Sequence, residues 1–138
     1  SMIPWSLTNI AGMEMNEYCT EICEKHNSCG KTEISEIEDD VRTAGAEVIK
    51  RKGATFYAIA LSVNKICDVI LRDAQNILTV SSLVVDRYGI NDVCLSLPCI
   101  IGGHGIEREL TPPLLPNELD QLQKSAEALK NVIEGLNF

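Results

Sequence analysis

Apolar residues recur at helical spacing twice along this chain, give way to strict alternation, and then return to helical spacing; that order predicts the architecture. Ile34, Ile37, Val41, Ala44, Val48 and Ile49 recur every three or four positions, with Glu36, Glu38, Asp39, Asp40, Glu47, Lys50 and Arg51 on the other faces. This is the pattern of an amphipathic helix, and its acidic start and basic end suit the macrodipole, with Gly53 as C-cap. Thr55 stands where a second helix is expected to begin. Residues 56–71 are apolar on nearly every face except a strip of Asn64, Lys65, Asp68 and Arg72, which predicts a helix central to the core.

After Asp73 the period changes to two. Leu78 and Val80 oppose Thr79 and Ser81, and Val93, Leu95 and Leu97 oppose Cys94 and Ser96, so residues 77–85 and 93–101 read as half-buried strands, followed by a third at 105–110. Gly102-Gly103 ahead of His104 predicts a hairpin turn of the primed type joining the second and third strands. Pro112, Pro113 and Pro116 interrupt regular structure before Asn117, the expected N-cap of a last helix with Leu119, Leu122, Ala126, Leu129, Ile133 and Leu136 on its inward face. At the other end, Ser6 is the expected cap of a short helix over residues 7–10 that stops at Gly12. The sum is one α+β domain over residues 1–138, with helices packed on a twisted antiparallel sheet.

A chain of 138 residues can bury a real core, hiding about 70% of its unfolded surface, so it has no need of disulfide staples. The six cysteines are expected to be reduced thiols of a cytoplasmic protein, since no charged segment followed by an apolar stretch precedes them. The longest apolar run is interrupted by Asn64, Lys65 and Asp68, short of the roughly 18 residues needed to span a bilayer. A formal net charge of -8 repels phosphate backbones. Neither nucleic acid nor membrane is an expected partner.

Four words carry a resemblance: Lys50-Arg51-Lys52-Gly53-Ala54-Thr55, Leu78-Thr79-Val80-Ser81, Asp92-Val93-Cys94-Leu95-Ser96-Leu97-Pro98 and Gly105-Ile106-Glu107. In this order they closely resemble the C-terminal half of NAD-dependent L-lactate dehydrogenases, in particular the clostridial-type bacterial enzymes, which belong to the lactate/malate dehydrogenase family. The stretch Trp5-Ser6, Asn9 and Ala11-Gly12 is similar to the one that follows that family's catalytic His-Gly-Asp-Ser motif within a few residues. The resemblance implies that the nucleotide-binding Rossmann half, with the catalytic histidine, the aspartate and the arginines, lies outside this sequence, so no catalytic residue is expected here. Ser1 reads either as native or as a cloning remnant ahead of Met2.

Thr55 is the first candidate binding residue. Spacing alone makes it a helix N-cap, and a helix start also favours an anion such as a 2-oxo acid carboxylate. The resemblance implies that its side chain lines the pocket beside the small substituent of the substrate. Ile59, one helical turn on, reads as core from its apolarity; the resemblance sets it against the nicotinamide ring, where an apolar wall excludes water. Ala44 and Gly45 sit mid-helix, where glycine costs about 1 kcal/mol relative to alanine. Their small size serves either tight helix packing or, by resemblance, another wall of the substrate pocket.

Cys19, Cys23 and His26 share a helical face, and with Cys29 they offer thiolate and imidazole ligands acceptable to zinc, although the Cys-x-x-Cys pairs of standard knuckles are missing. His104, between glycines, reads as a turn residue. Cys94 and Cys99 read as small core or pocket-rim hydrophobes, and Glu118, Asp120, Glu127 and Glu134 as a solvated helix face. The function expected from the resemblance is interconversion of lactate and pyruvate with NAD by an intact homo-oligomeric enzyme, the chain alone being inactive and holding no cofactor. The alternatives are the corresponding half of a malate dehydrogenase, or a metal-binding or interaction module built on the Cys19 to Cys29 cluster.

Overall fold

The period-two segments form one antiparallel sheet in the order β3-β4-β5, with β3 at Asn76–Val84, β4 at Val93–Gly102 and β5 at Gly105–Glu109. The computed structural model describes residues 2–26 and 31–136. It divides into two compact units, Ser1–Thr55 with Leu114–Glu118 and Phe56–Pro113 with Leu119–Phe138; the sheet belongs to the second.

β3 and β4 pair without interruption from Asn76↔Ile101 to Val84↔Val93. Alternation along β4 buries Val93, Leu95, Leu97, Cys99 and Ile101 while Cys94 and Ser96 face out, as period two requires. Val69 of the helix α3, Tyr57–Leu71, packs with Cys99 and Ile101 at the centre of the core, and Ile70, Leu78 and Val80 close around them. The buried Val69 and Ile101 side chains are worth about 1.5–3 kcal/mol each as apolar surface removed from water.

Two expectations are corrected here. The β4–β5 turn is centred on Gly103 and His104, with Gly102 paired to Gly105, and neither central residue has positive φ. Gly105 takes the left-handed conformation instead, at φ 89, so the turn is not of the primed type. Nor is α3 wholly central. Val69 is its one buried residue, while Tyr57, Leu61 and Leu71 are mostly exposed. A single face of the helix meets the sheet, and the apolar composition of the other faces finds no cover among the described residues of this unit.

The first unit opens with a 3-10 helix at Trp5–Leu7. A two-residue hairpin follows, β1 (Asn9–Ile10) with β2 (Met13–Glu14), turning through Ala11 and Gly12 at φ 53 and 86. Positive φ at both central positions is the primed geometry. Of the expected helix over residues 7–10, Leu7 ends the 3-10 helix and Asn9–Ile10 is strand, and Ser6 caps nothing there. Helices α1 (Met15–His26) and α2 (Lys31–Lys52) follow. Gly53, at φ 79, ends α2 by donating its N–H to the Ile49 carbonyl at 2.7 Å, as the C-cap expectation had it. The apolar stripe of α2 stays largely exposed at Ile37, Val41, Val48 and Ile49.

The last helix, α4, runs over Pro116–Gly135. Proline sits at its first position, where the missing N–H costs nothing, so Asn117 lies inside the first turn and is not the cap. Its inward face holds at Leu122 and Ala126, both buried, and is lost at Leu129, Ile133 and Leu136, which are exposed.

Candidate functional site

Ala44 and Gly45 lie on the exposed middle of α2, where a Cβ added to Gly45 meets nothing within 4 Å. Tight helix packing therefore does not account for that glycine. Thr55 is half-buried in the short segment between α2 and α3. It is not the helix cap: Phe56 is, with φ -116, and no side chain caps α3. The helical spacing expected between Thr55 and Ile59 does not hold, because Thr55 precedes the helix. Ile59, in the first turn of α3, is 58% exposed, which contradicts its reading as a core residue. Ala44, Gly45 and Thr55 belong to the first unit and Ile59 to the second.

Glu118 departs most from its sequence reading. Expected on a solvated face, it is 5% exposed, the one buried charged side chain among the described residues. Its carboxylate accepts the Ser6 N–H at 2.9 Å, the Ser6 hydroxyl at 2.5 Å and the Leu115 N–H at 3.0 Å. Burial pushes its carboxyl up, but the Ser6 hydroxyl and the two backbone N–H donors outweigh that and hold it below its ordinary value. Beside Ser6, the Trp5 indole N–H donates to Glu38 on α2 at 2.7 Å. A signal was available: a glutamate at the third position of a helix reaches back to the N–H of the residue before it, as Glu118 does to Leu115. Nothing in the sequence pointed to Ser6 as the partner of Glu118. The rest of the expected acidic face is solvated, with Asp120 paired to Lys124 at 2.7 Å.

His104 is an exposed turn residue, as read. Cys99 is fully buried, and burial first, then the charge of Glu109, pushes its thiol up against a smaller lowering by Ser82. It is a core side chain and a poor nucleophile. Cys94, expected in the core or at a pocket rim, is exposed. Of the candidate metal cluster, Cys19 is a half-buried free thiol, Cys29 lies outside the described residues, and so do the side chains of Cys23 and His26. No group of three metal-ligating side chains occurs among the described residues. A groove of about 350 Å³ runs between α3 and β3, lined by Leu61, Ser62, Lys65, Ile66, Leu78, Thr79 and Val80; none of the expected site residues borders it. Among the described residues no helix is long and apolar enough to cross a membrane.

Residues 4–137 match the family described as lactate/malate dehydrogenase, alpha/beta C-terminal domain. The chain belongs to that family. It is 46% identical over 132 residues to L-lactate dehydrogenase 1 of Clostridium acetobutylicum, covering 96% of this chain and 41% of that protein. It is likewise 46% identical over 136 residues to the L-lactate dehydrogenase of Acetivibrio thermocellus, covering 97% and 41%. Among solved structures, the L-lactate dehydrogenase of Clostridium thermocellum superposes with a TM-score of 0.80 at 39% identity over 98% of this chain and 42% of that one. The minor L-lactate dehydrogenase of Enterococcus mundtii, in a ligand-bound form, gives 0.87 at 28% identity over 99% and 42%. The α+β fold, with helices on an antiparallel sheet, is thus that of this C-terminal domain family, and the chain spans about 41% of the length of the curated relatives it matches.

Proposed function

We propose that this chain forms the substrate-binding half of an NAD-dependent L-lactate dehydrogenase that interconverts lactate and pyruvate. The observation that carries the proposal is 46% identity to an L-lactate dehydrogenase over 96% of the chain. In this reading Thr55, Ala44 and Gly45 bound the space for the small 2-oxo or 2-hydroxy acid, and Ile59 contributes an apolar wall. An isoleucine presented at 58% exposure fits the face of a flat apolar ring such as nicotinamide. NAD, when bound, supplies the hydride exchange. This chain's residues supply shape and water exclusion.

In this reading the histidine that moves the proton and the arginine that holds the carboxylate belong to the nucleotide-binding half, so the chain alone is expected to give no measurable turnover and to bind NAD only weakly. The intact cytoplasmic enzyme works as a homo-oligomer in this reading. The test is NADH formation from lactate by the protein that carries this chain together with a nucleotide-binding half. Activity supports the proposal, and turnover by the 138-residue chain free of host enzyme would refute the division of labour.

The malate dehydrogenase of Aeropyrum pernix superposes with a TM-score of 0.81 at 26% identity, over 96% of this chain and 40% of that one, which keeps one second reading in view. Comparison of kcat/KM for pyruvate and oxaloacetate separates them, with pyruvate the expected winner. Stoichiometric zinc in reduced protein would favour a metal-binding module instead.

A further inference from the structure

Helix capping explains one of the three hydrogen bonds to Glu118, the one from Leu115. The other two come from a residue 112 positions away, whose N–H and hydroxyl both point at the same carboxylate. A buried charge is costly unless its lone pairs are occupied, so this site is built around Ser6 as much as around the helix. Trp5, its neighbour, is held by a second carboxylate, Glu38. The 3-10 helix that contains both has no side-chain cap of its own, so these two acids are what hold its polar side chains.

We propose that Glu118 is a positioning residue: through Ser6 it sets the path of the chain on the N-terminal side of Trp5. The inference rests on the dehydrogenase reading, in which that path leads back within a few residues to the histidine that moves the proton. Neither Ser6 nor Glu118 touches substrate in this proposal. Their effect is on the placement of another group, and small misplacements of a catalytic group are expensive in rate.

The experiment uses the enzyme that carries this chain together with its nucleotide-binding half, as wild type, Ser6→Ala, Glu118→Gln and the double variant. Glu118→Gln is expected to lower kcat for lactate oxidation by about tenfold or more, leave the KM for NAD unchanged, and shift the pH profile of kcat/KM. The double variant is expected to lose little more than Glu118→Gln alone, because both substitutions cut the same link. A correctly folded Glu118→Gln enzyme with wild-type kcat and pH profile would overturn the proposal, and so would strictly additive losses. If Glu118→Gln does not fold, Ser6→Ala, which deletes one hydroxyl, decides by the same readouts. A wild type without NAD-dependent lactate turnover would sink the dehydrogenase reading instead. The clamp is then judged by hydrogen exchange at the Ser6 amide of the 138-residue chain, where protection lost in Glu118→Gln supports it and unchanged protection refutes it.

Discussion

Asp73 Oδ1 accepts the backbone N–H of Gly103 at 2.6 Å, tying the end of α3 to the β4–β5 turn. Asp73 itself sits at φ 49, a left-handed conformation that aspartate and asparagine tolerate better than most residues. The same carboxylate occupies the space beside Gly102, where an added Cβ would meet Asp73 Oδ1 at 2.8 Å and the Glu107 carboxylate closer still.

Asp73→Asn keeps both the acceptor and the backbone preference, and is expected to change stability by less than about 0.5 kcal/mol. Asp73→Ala loses both and is expected to cost about 1–2 kcal/mol in urea unfolding. Gly102→Ala is expected to cost about 1 kcal/mol, since the crowding atoms are side-chain ends that can swing aside only by giving up their bonds to Gly103 and Gln75. Equal midpoints for the asparagine and alanine variants would show that the Asp73 link contributes nothing.

Gly45 offers a two-sided test. A methyl group there has open space, so Gly45→Ala is expected to stabilise the chain by about 0.5–1 kcal/mol through helix propensity alone. In the intact enzyme the same substitution narrows the proposed pocket and should raise the KM for lactate. A higher melting temperature with an unchanged KM would take Gly45 out of the binding site.

Glu118 makes stability depend on acid. Its folded pKa lies below the ordinary 4.5, so the stabilisation is complete above the unfolded value and is lost as pH falls through the folded one. Melting temperature should therefore drop in the acid range below pH 4.5 in the wild type, and drop less steeply in Glu118→Gln. Glu118→Leu leaves the Ser6 and Leu115 donors unpaired and is expected to cost about 2–4 kcal/mol at neutral pH. Parallel acid profiles for wild type and Glu118→Gln would contradict the assignment.

Burial separates two residues of similar chemistry. Ile101 is 2% exposed in the core, and Ile101→Ala is expected to cost about 2–5 kcal/mol. Leu71→Ala, at 85% exposure, should stay within about 0.5 kcal/mol. The apolar surface that Leu61 and Leu71 leave uncovered is expected to make the isolated chain self-associate, seen as a species above 15.2 kDa by light scattering. Leu61→Lys should lower its mass, and a clean monomer at high concentration would argue against that expectation.

Periodicity made the strands, the sheet-facing residues of β4, the amphipathic α2 and the Gly53 cap legible, because each depends on neighbours within a few positions. The candidate residues Thr55, Ile59, Ala44 and Gly45 came from a resemblance of short words, and the family match bears out the resemblance itself. Turn chemistry misled twice. Gly102-Gly103 looked like a primed turn, but the chain uses Gly103-His104 with Gly105 left-handed, and the primed turn occurs instead at Ala11-Gly12, just after a segment that reads as helix.

The amino-acid order by itself determined the longer elements, α2, α3, α4 and the three strands of the sheet, and to which family the chain belongs, since both are written in local pattern. Only the tertiary structure decided what those patterns are worth. It buried Glu118 against Ser6, exposed most of an oily helix, and left Ile59 uncovered. Burial is set by what lies opposite a side chain, and that depends on residues far away in sequence.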